Sequence, residues 1–412
     1  MTDHAPDDRA ARLRERLADR LENAGLLRSA AWRAALTAVP REVFVPAFFR
    51  RGDGPRGTLW TPALPDAEGT DAWLEDVYAD ETLVTQLDGG VHPGDVDGPV
   101  GGEPTSSSTL PGLVVRMLED LAPKDGARVL EIGTGTGYST ALMCHRLGSD
   151  HVTSIEYDPA AAARARTAIT SAGYTPRLIH GDGLLGDEEG GPYDHLIATC
   201  SVRTIPPAWL RQVTPGGTIL TTVSGWLSGS GLARLTVGEN GTAEGRFLPG
   251  MVSFMIARPH AAPALDDYSD LLRQPSDERP ARHDREVFQS WIPLFLAQLA
   301  APGAQGLSTR ADGGPWLYHA IDVSSGSFAT LTPTSDESGF LVRQGGPHRL
   351  WDDIEAAIDA WETAGSPPQT AFTLTVTPTE QTVRLDTPDG PSWTLPTWLP
   401  PARRTRTDTL AR

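Results

Sequence analysis

The chain has 412 residues, which is enough for two or three domains and a large buried core. Hydrophobic residues make up 39% of the sequence, so we expect the chain to fold rather than to stay disordered. The formal net charge is −18, from 53 acidic and 35 basic residues, and it disfavours nucleic acid and anionic membranes as partners because both require a basic surface.

The first ninety residues predict two helices followed by loops. Leucines four residues apart among charged residues predict an amphipathic helix over 8–24, and a second helix is predicted over 29–38. The segments 52–68 and 88–106 are rich in glycine and proline and predict long loops. Loops of this length inside a compact domain are usually functional or mobile.

From residue 127 onward the pattern becomes α/β. We predict strands in ARVLEIG, HVTSIEYD, TPRLIHGDG, DHLIATCS and TILTTVSG, with a glycine loop and helix after the first strand and a helix over 159–172 after the second. Strands that alternate with helices predict a parallel, doubly wound sheet of the Rossmann-like type, covered by helices on both faces.

The composition changes again near residue 258 and predicts the division of the chain. Proline, alanine and charged residues predict a linker over 258–285, and the short apolar runs and one amphipathic helix that follow predict a smaller α+β accessory domain over 286–412. We assign 91–257 to the ligand-binding domain and 1–90 to a helical segment with loops that packs on it. No catalytic group of residues is recognisable after residue 285.

A glycine loop follows the first strand of the α/β region. Gly133, Gly135 and Gly137 have the spacing G-x-G-x-G, and glycine lets backbone approach a ligand closely. Tyr138 comes next, whereas a Walker A loop requires Gly-Lys-Ser/Thr and a dinucleotide site requires G-x-G-x-x-G. The spacing, with Glu131 before it, suits S-adenosylmethionine, whose ammonium group a carboxylate can bind.

Two more acidic residues follow the next two predicted strands. Glu156 lies ~20 residues past the loop, where an acidic residue can accept hydrogen bonds from both ribose hydroxyls. Asp182 is placed to accept a hydrogen bond from the adenine amine. The alternative is a glycine turn with acids that face solvent. Three features at consecutive strand ends favour a ligand site, because open α/β sheets bind ligands there.

Four segments resemble the protein-L-isoaspartate O-methyltransferase family. They are VPREVFVP, VYADETL, the group VLEIGTGTGYST, IEYDP and GDG, and YDHLIATCSVRTIPPAWLRQVTPGGTIL. The resemblance as a whole covers roughly residues 10–255. The resemblance implies an S-adenosylmethionine-dependent carboxyl O-methyltransferase that releases S-adenosylhomocysteine. It assigns cofactor binding to Glu131, Gly133, Thr134, Gly135, Gly137, Tyr138, Glu156, Tyr157, Asp182 and Gly183.

The chain departs from the family pattern in three places. Thr109 stands where the family usually has a serine two residues before a proline, and it ends a hydroxyl-rich run, Ser106 to Thr109. The loops 52–75 and 88–103 are longer than usual, and short repair enzymes lack the C-terminal region. Long forms of this kind resemble an actinobacterial branch linked to ribosomally made peptides such as lanthipeptides and graspetides. That branch methylates an Asp side chain of a precursor peptide, and the ester gives an aspartimide that can hydrolyse to isoaspartate.

The chemistry of a carboxylate acceptor makes the hydroxyl-rich run a candidate for acceptor binding. A carboxylate is ionised at neutral pH and needs no general base, so the enzyme has to align it and exclude water. We predict that Thr109, assisted by Ser107 or Ser108, orients the acceptor, with the alternative that these hydroxyls only cap a helix.

Other residue types support or exclude further sites. Thr199, Cys200 and Ser201 end the strand beside the cofactor and are predicted to line the substrate pocket. Neither Cys144 nor Cys200 has ligand spacing, and the ten histidines show no HExxH motif, so no metal site is predicted. The polar N-terminus and the lack of a long apolar run lead us to expect a cytoplasmic protein.

Three functions remain open from the sequence. The departures favour a tailoring enzyme that methylates an Asp in a ribosomally made precursor peptide, with that peptide as partner. The second is a repair enzyme for isoaspartyl residues in damaged proteins. The third is a binding protein that keeps the cofactor fold only as a scaffold. The sequence does not specify the oligomeric state.

Overall fold

We describe a computed structural model of the chain. It describes residues 6–54, 57–65, 69–265, 268–310, 313–335, 339–387 and 390–397. The predicted segments 1–90, 258–285 and 286–412 therefore each include residues that lie outside the described part. Three sheets of four, ten and five strands organise the described residues. Among these residues, no helix is both long and apolar enough to span a lipid bilayer.

Three helices open the described chain and confirm the first two predicted helices. They are α1 (Pro6–Asn23), α2 (Ala30–Ala38) and α3 (Arg41–Phe44). The leucine stripe of α1 is buried, because Leu13, Leu17 and Leu21 are each at most 5% exposed. The helix α2 begins after Ser29, whose hydroxyl accepts a hydrogen bond from the Trp32 amide, as is usual for an N-cap.

A small antiparallel sheet follows, where the sequence predicted loops. Its order is β2-β1-β3-β4, and the helix α4 (Thr70–Val77) lies between β2 and β3 in the chain. The predicted loop 52–68 is in large part a hairpin, and the end of 88–106 is a strand, so both predictions were partly wrong. Trp60 and Leu87 are buried between the strands, which local composition did not reveal. The strands are β1 (Phe48–Gly54), β2 (Gly57–Ala63), β3 (Leu83–Leu87) and β4 (Pro104–Ser108).

The ten-stranded sheet is the centre of the molecule and confirms the predicted α/β fold. Strands β7, β6, β5, β8 and β9 lie side by side and are parallel. Strand β10 pairs antiparallel with β9, and β11 pairs antiparallel with β10. The bounds are β5 (Val129–Ile132), β6 (Val152–Glu156), β7 (Arg177–His180), β8 (Tyr193–Val202), β9 (Val213–Ser224), β10 (Ser230–Val237) and β11 (Ala243–Phe247). Four helices accompany them: α5 (Pro111–Leu121), α6 (Tyr138–Leu147), α7 (Pro159–Ser171) and α8 (Pro207–Gln212).

Both faces of this sheet are buried. Successive residues of a strand point to opposite faces and belong to two different hydrophobic clusters. In β5, Val129 belongs to the cluster with the N-terminal helices, and Leu130 belongs to the cluster with the C-terminal region. Ile197 and Leu196 of β8 divide in the same way. A doubly covered parallel sheet requires such continuous apolar runs.

The C-terminal region is rich in strands, as the sequence predicted, and part of it joins the central sheet. Its last strands, β17 (Phe372–Val376), β18 (Gln381–Leu385) and β19 (Ser392–Thr394), extend the ten-stranded sheet beyond β11. Without β17, the edge of β11 would expose unpaired backbone groups. The alternating residues Phe372 and Leu374 are fully buried in a hydrophobic cluster shared with the α/β region.

The third sheet lies within this C-terminal region and also revises the predicted linker. Its antiparallel order is β12-β16-β15-β14-β13, so the segment predicted as a linker over 258–285 contributes a strand. The bounds are β12 (Ser276–Pro280), β13 (Gln305–Arg310), β14 (Trp316–Asp322), β15 (Ser327–Pro333) and β16 (Phe340–Gly345), with the helices α9 (Ser269–Leu272), α10 (Trp291–Ala300) and α11 (Leu350–Thr363). The apolar stripe of α11, predicted from its helical spacing, is buried at Leu350, Ile354 and Ile358.

Candidate active site

A cleft of ≈ 160 Å³ opens at the carboxyl ends of the central parallel strands. This is the edge at which open α/β sheets bind ligands. The small antiparallel sheet covers one side of the cleft through β4, and a segment after β11 covers another. The lining residues are 105–109, 132–136, 138–139, 155–158, 182–184, 199–200 and 254–259, with Val114 and Ala161 beside them.

The glycine loop between β5 and α6 forms the floor of the cleft. Gly133, Gly135 and Gly137 have φ values of +96°, +56° and +91°, a left-handed conformation that residues with a side chain rarely adopt. A Cβ atom at Gly133 would lie 2.8 Å from the hydroxyl of Thr199, and one at Gly137 would lie 2.9 Å from the side chain of Ile169. The turn therefore requires glycine, and Gly133 and Gly135 present backbone to the cleft.

Glu131 occupies a different place from the one predicted. Its carboxylate is fully buried and accepts hydrogen bonds from the hydroxyls of Ser139, Thr140 and Ser154, the last at 2.7 Å. Side chains alternate along a strand, so Glu131 lies on the same face as Val129, beneath α6 and outside the cleft. It therefore stabilises the loop from below and does not meet a ligand's ammonium group. Burial raises the pKa of this carboxyl.

The other two predicted carboxylates lie at the cleft. Glu156, at the end of β6, accepts hydrogen bonds from the backbone amides of Gly135 at 2.8 Å and Asp158 at 2.9 Å. Asp182 accepts a hydrogen bond from the Leu184 amide at 2.9 Å, and burial raises the pKa of its carboxyl. Of the ten predicted cofactor residues, eight line the cleft, and Glu131 and Gly137 do not.

The hydroxyl-rich run forms one wall of the cleft. Ser107 and Ser108 belong to β4, and Thr109 follows it, so a strand rather than a loop presents them. The carbonyl of Ser107 approaches the glycine loop closely, since a Cβ atom at Gly135 would lie 3.6 Å from it. The acceptor residues predicted from sequence are therefore brought next to the predicted cofactor loop.

These hydroxyls do not cap the helix that follows. The N-cap of α5 is Leu110, and no side chain of that residue caps the helix. The amide groups at this end bind elsewhere, because the Leu110 amide donates to the Thr82 hydroxyl and the Gly112 amide donates to Asp80 at 2.6 Å. Within the described residues, the Thr109 hydroxyl forms no hydrogen bond, so it is available to a ligand.

The residues at the end of β8 have three different positions. Thr199 lines the cleft, and its hydroxyl donates to the carbonyls of Ile132 and Gly133. Cys200 also lines the cleft, but burial raises the pKa of its thiol to about 12, so it remains protonated. Ser201 is fully buried away from the cleft, contrary to the prediction, and donates to the Phe254 carbonyl at 2.9 Å.

The segment 254–259 lines the cleft. From the sequence, it was divided between the end of the ligand-binding domain and the start of the predicted linker. Its Arg258 donates a hydrogen bond to Asp158 at 2.9 Å and one to Gln86 at 3.3 Å. Burial opposes the ionisation of Asp158, but hydrogen bonds from the Ala161 amide and the Gln86 side chain, together with the Arg258 guanidinium, hold its pKa down at about 2. The Asp-Pro pair that opens α7 is an N-cap signal in the sequence, but no local pattern places Arg258 opposite it.

The chain is similar in sequence to proteins that are already known. The family model described as Protein-L-isoaspartate(D-aspartate) O-methyltransferase matches residues 94–240. A protein-L-isoaspartate O-methyltransferase from Methanopyrus kandleri is 30% identical over 223 residues, which span 53% of this chain and 80% of that protein. Another with the same name, from Hyperthermus butylicus, is 33% identical over 214 residues, or 50% and 72% of the two chains. A solved structure named protein-L-isoaspartate O-methyltransferase is 22% identical, with a TM-score of 0.49, and covers 88% of this chain and 96% of its own.

Proposed function

Because the chain belongs to the protein-L-isoaspartate O-methyltransferase family, we propose that it methylates the free carboxylate of isoaspartyl residues in peptides or proteins. The hydroxyl-rich wall beside the glycine loop is the observation that carries this proposal. Among the described residues, those that line the cleft include no His or Lys, and Arg258 is their only cation. A site without a His or Lys base suits an acceptor that is already ionised, which a carboxylate is at neutral pH.

The cofactor is S-adenosyl-L-methionine, as in the rest of the family. It supplies a methyl group on a positively charged sulfur when it is bound. The cleft fits this molecule, because Gly133 and Gly135 leave backbone exposed where a methionine portion has to pass. In our proposal, Glu156 accepts hydrogen bonds from the ribose hydroxyls and Asp182 accepts one from the adenine amine.

We assign binding of the acceptor carboxylate to the hydroxyl-rich wall of the cleft. Thr109 donates its hydroxyl proton to one oxygen of the acceptor carboxylate and leaves the other oxygen free to attack. Ser107 and Ser108 line the same wall and assist. Such orientation, together with the removal of water, lowers the barrier of a displacement that needs little acid or base catalysis.

A tailoring enzyme is the second candidate, and the length of the hydroxyl run favours it. Ser106, Ser107, Ser108 and Thr109 stand where the family usually places a single hydroxyl of this kind. In this case the acceptor is an Asp side chain in a ribosomally made precursor peptide. The next backbone amide nitrogen then attacks the methyl ester, methanol leaves and an aspartimide forms, which hydrolysis converts to isoaspartate.

The role of the C-terminal region in either reaction is limited by its position. Within the described part of the chain, no residue after Pro259 lines the cleft. Its last strands complete the central sheet instead. We therefore propose that it stabilises the catalytic fold, and that any contact with a peptide lies outside the cleft.

Mass spectrometry of three matched peptides tests the proposal. An isoaspartyl peptide, its aspartyl isomer and an Asp-containing precursor peptide are each incubated with the protein and S-adenosylmethionine. We expect one methyl group to be added to the isoaspartyl peptide alone, and Thr109→Val to lower that rate about 10- to 100-fold through loss of one hydrogen bond to a charged group.

Each other outcome has a definite meaning. Methylation of the precursor alone, followed by loss of methanol, supports the tailoring enzyme and overturns the repair assignment. Full activity in Thr109→Val shows that this hydroxyl does not orient the acceptor. Failure to bind S-adenosylhomocysteine in calorimetry leaves only the non-catalytic scaffold.

A further inference from the structure

Arg41 is a fully buried arginine behind the acceptor wall. It opens α3 within the segment VPREVFVP, and none of its surface is exposed. Within the part of the chain that the structure describes, it forms no ion pair, and its Nε has no hydrogen-bond partner. Burial lowers the pKa of the guanidinium to about 10, so the group still carries its charge at neutral pH. An unpaired buried cation is costly for a fold, and its retention requires a reason.

Backbone carbonyls take the place of water around this cation. Nη1 donates to the carbonyls of Val77 at 2.7 Å and Ala79 at 3.1 Å, and Nη2 donates to that of Glu81 at 3.1 Å. These carbonyls lie at the last residue of α4 and in the segment that leads from it to β3. They solvate the guanidinium but carry no net charge, so the positive charge is not neutralised at this end.

The other side of the guanidinium faces the acceptor wall. Nη2 lies 3.4 Å from the carbonyl of Ser108, 3.3 Å from that of Thr109 and 3.5 Å from the Ser108 hydroxyl oxygen. A guanidinium has only donors, so the Ser108 oxygen is the acceptor in this contact and its proton is free to point elsewhere. Ser108 and Thr109 line the cleft, and so does Tyr138, whose ring centre lies 5.8 Å from the guanidinium carbon of Arg41.

We propose that Arg41 is a positioning residue that makes the acceptor wall selective for an anion. It fixes the backbone of Ser108 and Thr109 from behind and adds a positive potential where the acceptor carboxylate binds. Asp80 is the carboxylate that acts on it through space, and it accepts a hydrogen bond from the Gly112 amide. The inference rests on the proposed function, because it concerns how a carboxylate acceptor is recognised.

Binding of a matched acid and amide measures this selectivity. The isoaspartyl peptide and its isoasparaginyl analogue differ by one charge, and calorimetry gives the Kd of each for the protein saturated with S-adenosylhomocysteine. We expect the wild type to prefer the acid and Arg41→Met to lower the ratio of the amide Kd to the acid Kd about 10-fold, as expected for one partly screened charge.

Two further variants make the test independent of folding. Arg41→Lys keeps the charge and should keep most of the ratio, although it reaches fewer carbonyls. Asp80→Asn keeps an acceptor for the Gly112 amide but removes the opposing charge, so the preference for the acid should increase. The affinity for S-adenosylhomocysteine alone should change less than about twofold in all three variants, which corresponds to a free-energy change no larger than thermal energy.

A purely structural role gives a different pattern. If Arg41→Met weakens the acid and the amide by the same factor, or if Asp80→Asn leaves the ratio unchanged, the inference is overturned. The proposed function is tested separately by whether the wild type methylates the isoaspartyl peptide. If it methylates only an aspartyl precursor, the same comparison is made with Asp and Asn forms of that peptide.

Discussion

At the residue scale, Glu156 serves the fold and, in our proposal, also the ligand. Its two oxygens accept hydrogen bonds from backbone amides, and it also lines the cleft. Glu156→Gln should raise the Kd for S-adenosylhomocysteine about 10- to 100-fold, because the amide is a weaker acceptor and turns one donor group towards an amide donor. Calorimetry measures the Kd, with Glu239→Gln, at an exposed position, as the control. An unchanged Kd in Glu156→Gln would contradict the role given to this carboxylate.

Asp158 offers a prediction about pH at the same scale. Its pKa in the folded protein is about 2, below the ordinary value of 3.8, so ionisation of this group stabilises the fold above that ordinary value. As the pH falls from about 4 towards 2, this contribution is lost. Asp158→Asn retains an oxygen to cap α7 and should lower the free energy of unfolding by at most about 2 kcal/mol at neutral pH.

Urea unfolding of both proteins at several pH values measures the difference. The difference should shrink steadily as the solution is acidified below the ordinary pKa of an aspartate. A difference that stays constant down to the lowest pH at which the proteins fold would show that the ion pair with Arg258 does not cause it.

At the element scale, the junction between β4 and α5 depends on one glycine. A Cβ atom at Gly112 would lie 2.5 Å from a carboxylate oxygen of Asp80, whose other oxygen accepts the hydrogen bond from the Gly112 amide. Gly112→Ala would move that carboxylate and lose the bond, so we expect the free energy of unfolding to fall by about 1–3 kcal/mol. Activity should fall as well, because the junction carries Thr109.

The control for this substitution is a glycine in the segment between β3 and β4 of the small antiparallel sheet. Gly94→Ala places its Cβ in open space, with no atom within 4 Å, and should leave stability nearly unchanged. Urea unfolding of the two variants under one set of conditions makes the comparison. Equal stability of Gly112→Ala and the wild type would show that the carboxylate of Asp80 can move without cost.

Helices were predicted more accurately from the sequence than the strands of the small antiparallel sheet, and the reason is physical. The helix α1 was predicted because its apolar residues recur with the period of a helix, which is a local property. The strand β4 was predicted as part of a loop because its serines carry no apolar alternation. Pairing with β3, from a segment about twenty residues earlier, makes it a strand.

At the scale of the whole molecule, Gln381 in β18 joins the C-terminal region to the segment between β8 and α8. The side-chain amide of Gln381 donates to the Ile205 carbonyl at 2.7 Å and accepts from the Ile205 amide at 2.7 Å. Gln381→Leu leaves both backbone groups buried without a partner, so the free energy of unfolding should fall by about 2–4 kcal/mol. Gln369→Leu is the matched control, since that buried amide has no hydrogen-bond partner among the described residues.

Calorimetric unfolding measures the loss of stability in Gln381→Leu and shows whether the two regions unfold together. A single transition that Gln381→Leu shifts to lower temperature, with Gln369→Leu close to the wild type, is expected because one hydrophobic cluster spans both regions. Two separate transitions, of which Gln381→Leu affects only one, would show that the C-terminal region is the independent domain that the sequence predicted.

The sequence by itself determined the features that depend on neighbouring residues. The glycine loop, the acids at the ends of β6 and β7 and the parallel strands follow from local spacing and apolar runs, and these local patterns are sufficient to indicate the cofactor. Family motifs placed Thr109 beside them, and the structure brings its hydroxyl to the cleft.

Only the tertiary structure decided the features that depend on distant partners. It turned Glu131 beneath α6, extended the central sheet with strands from the end of the chain and buried Arg41 behind the acceptor wall. The physical reason is common to all three. The direction of a side chain, the edge of a sheet and the solvation of a buried charge are fixed by groups far away in sequence, which local patterns do not encode.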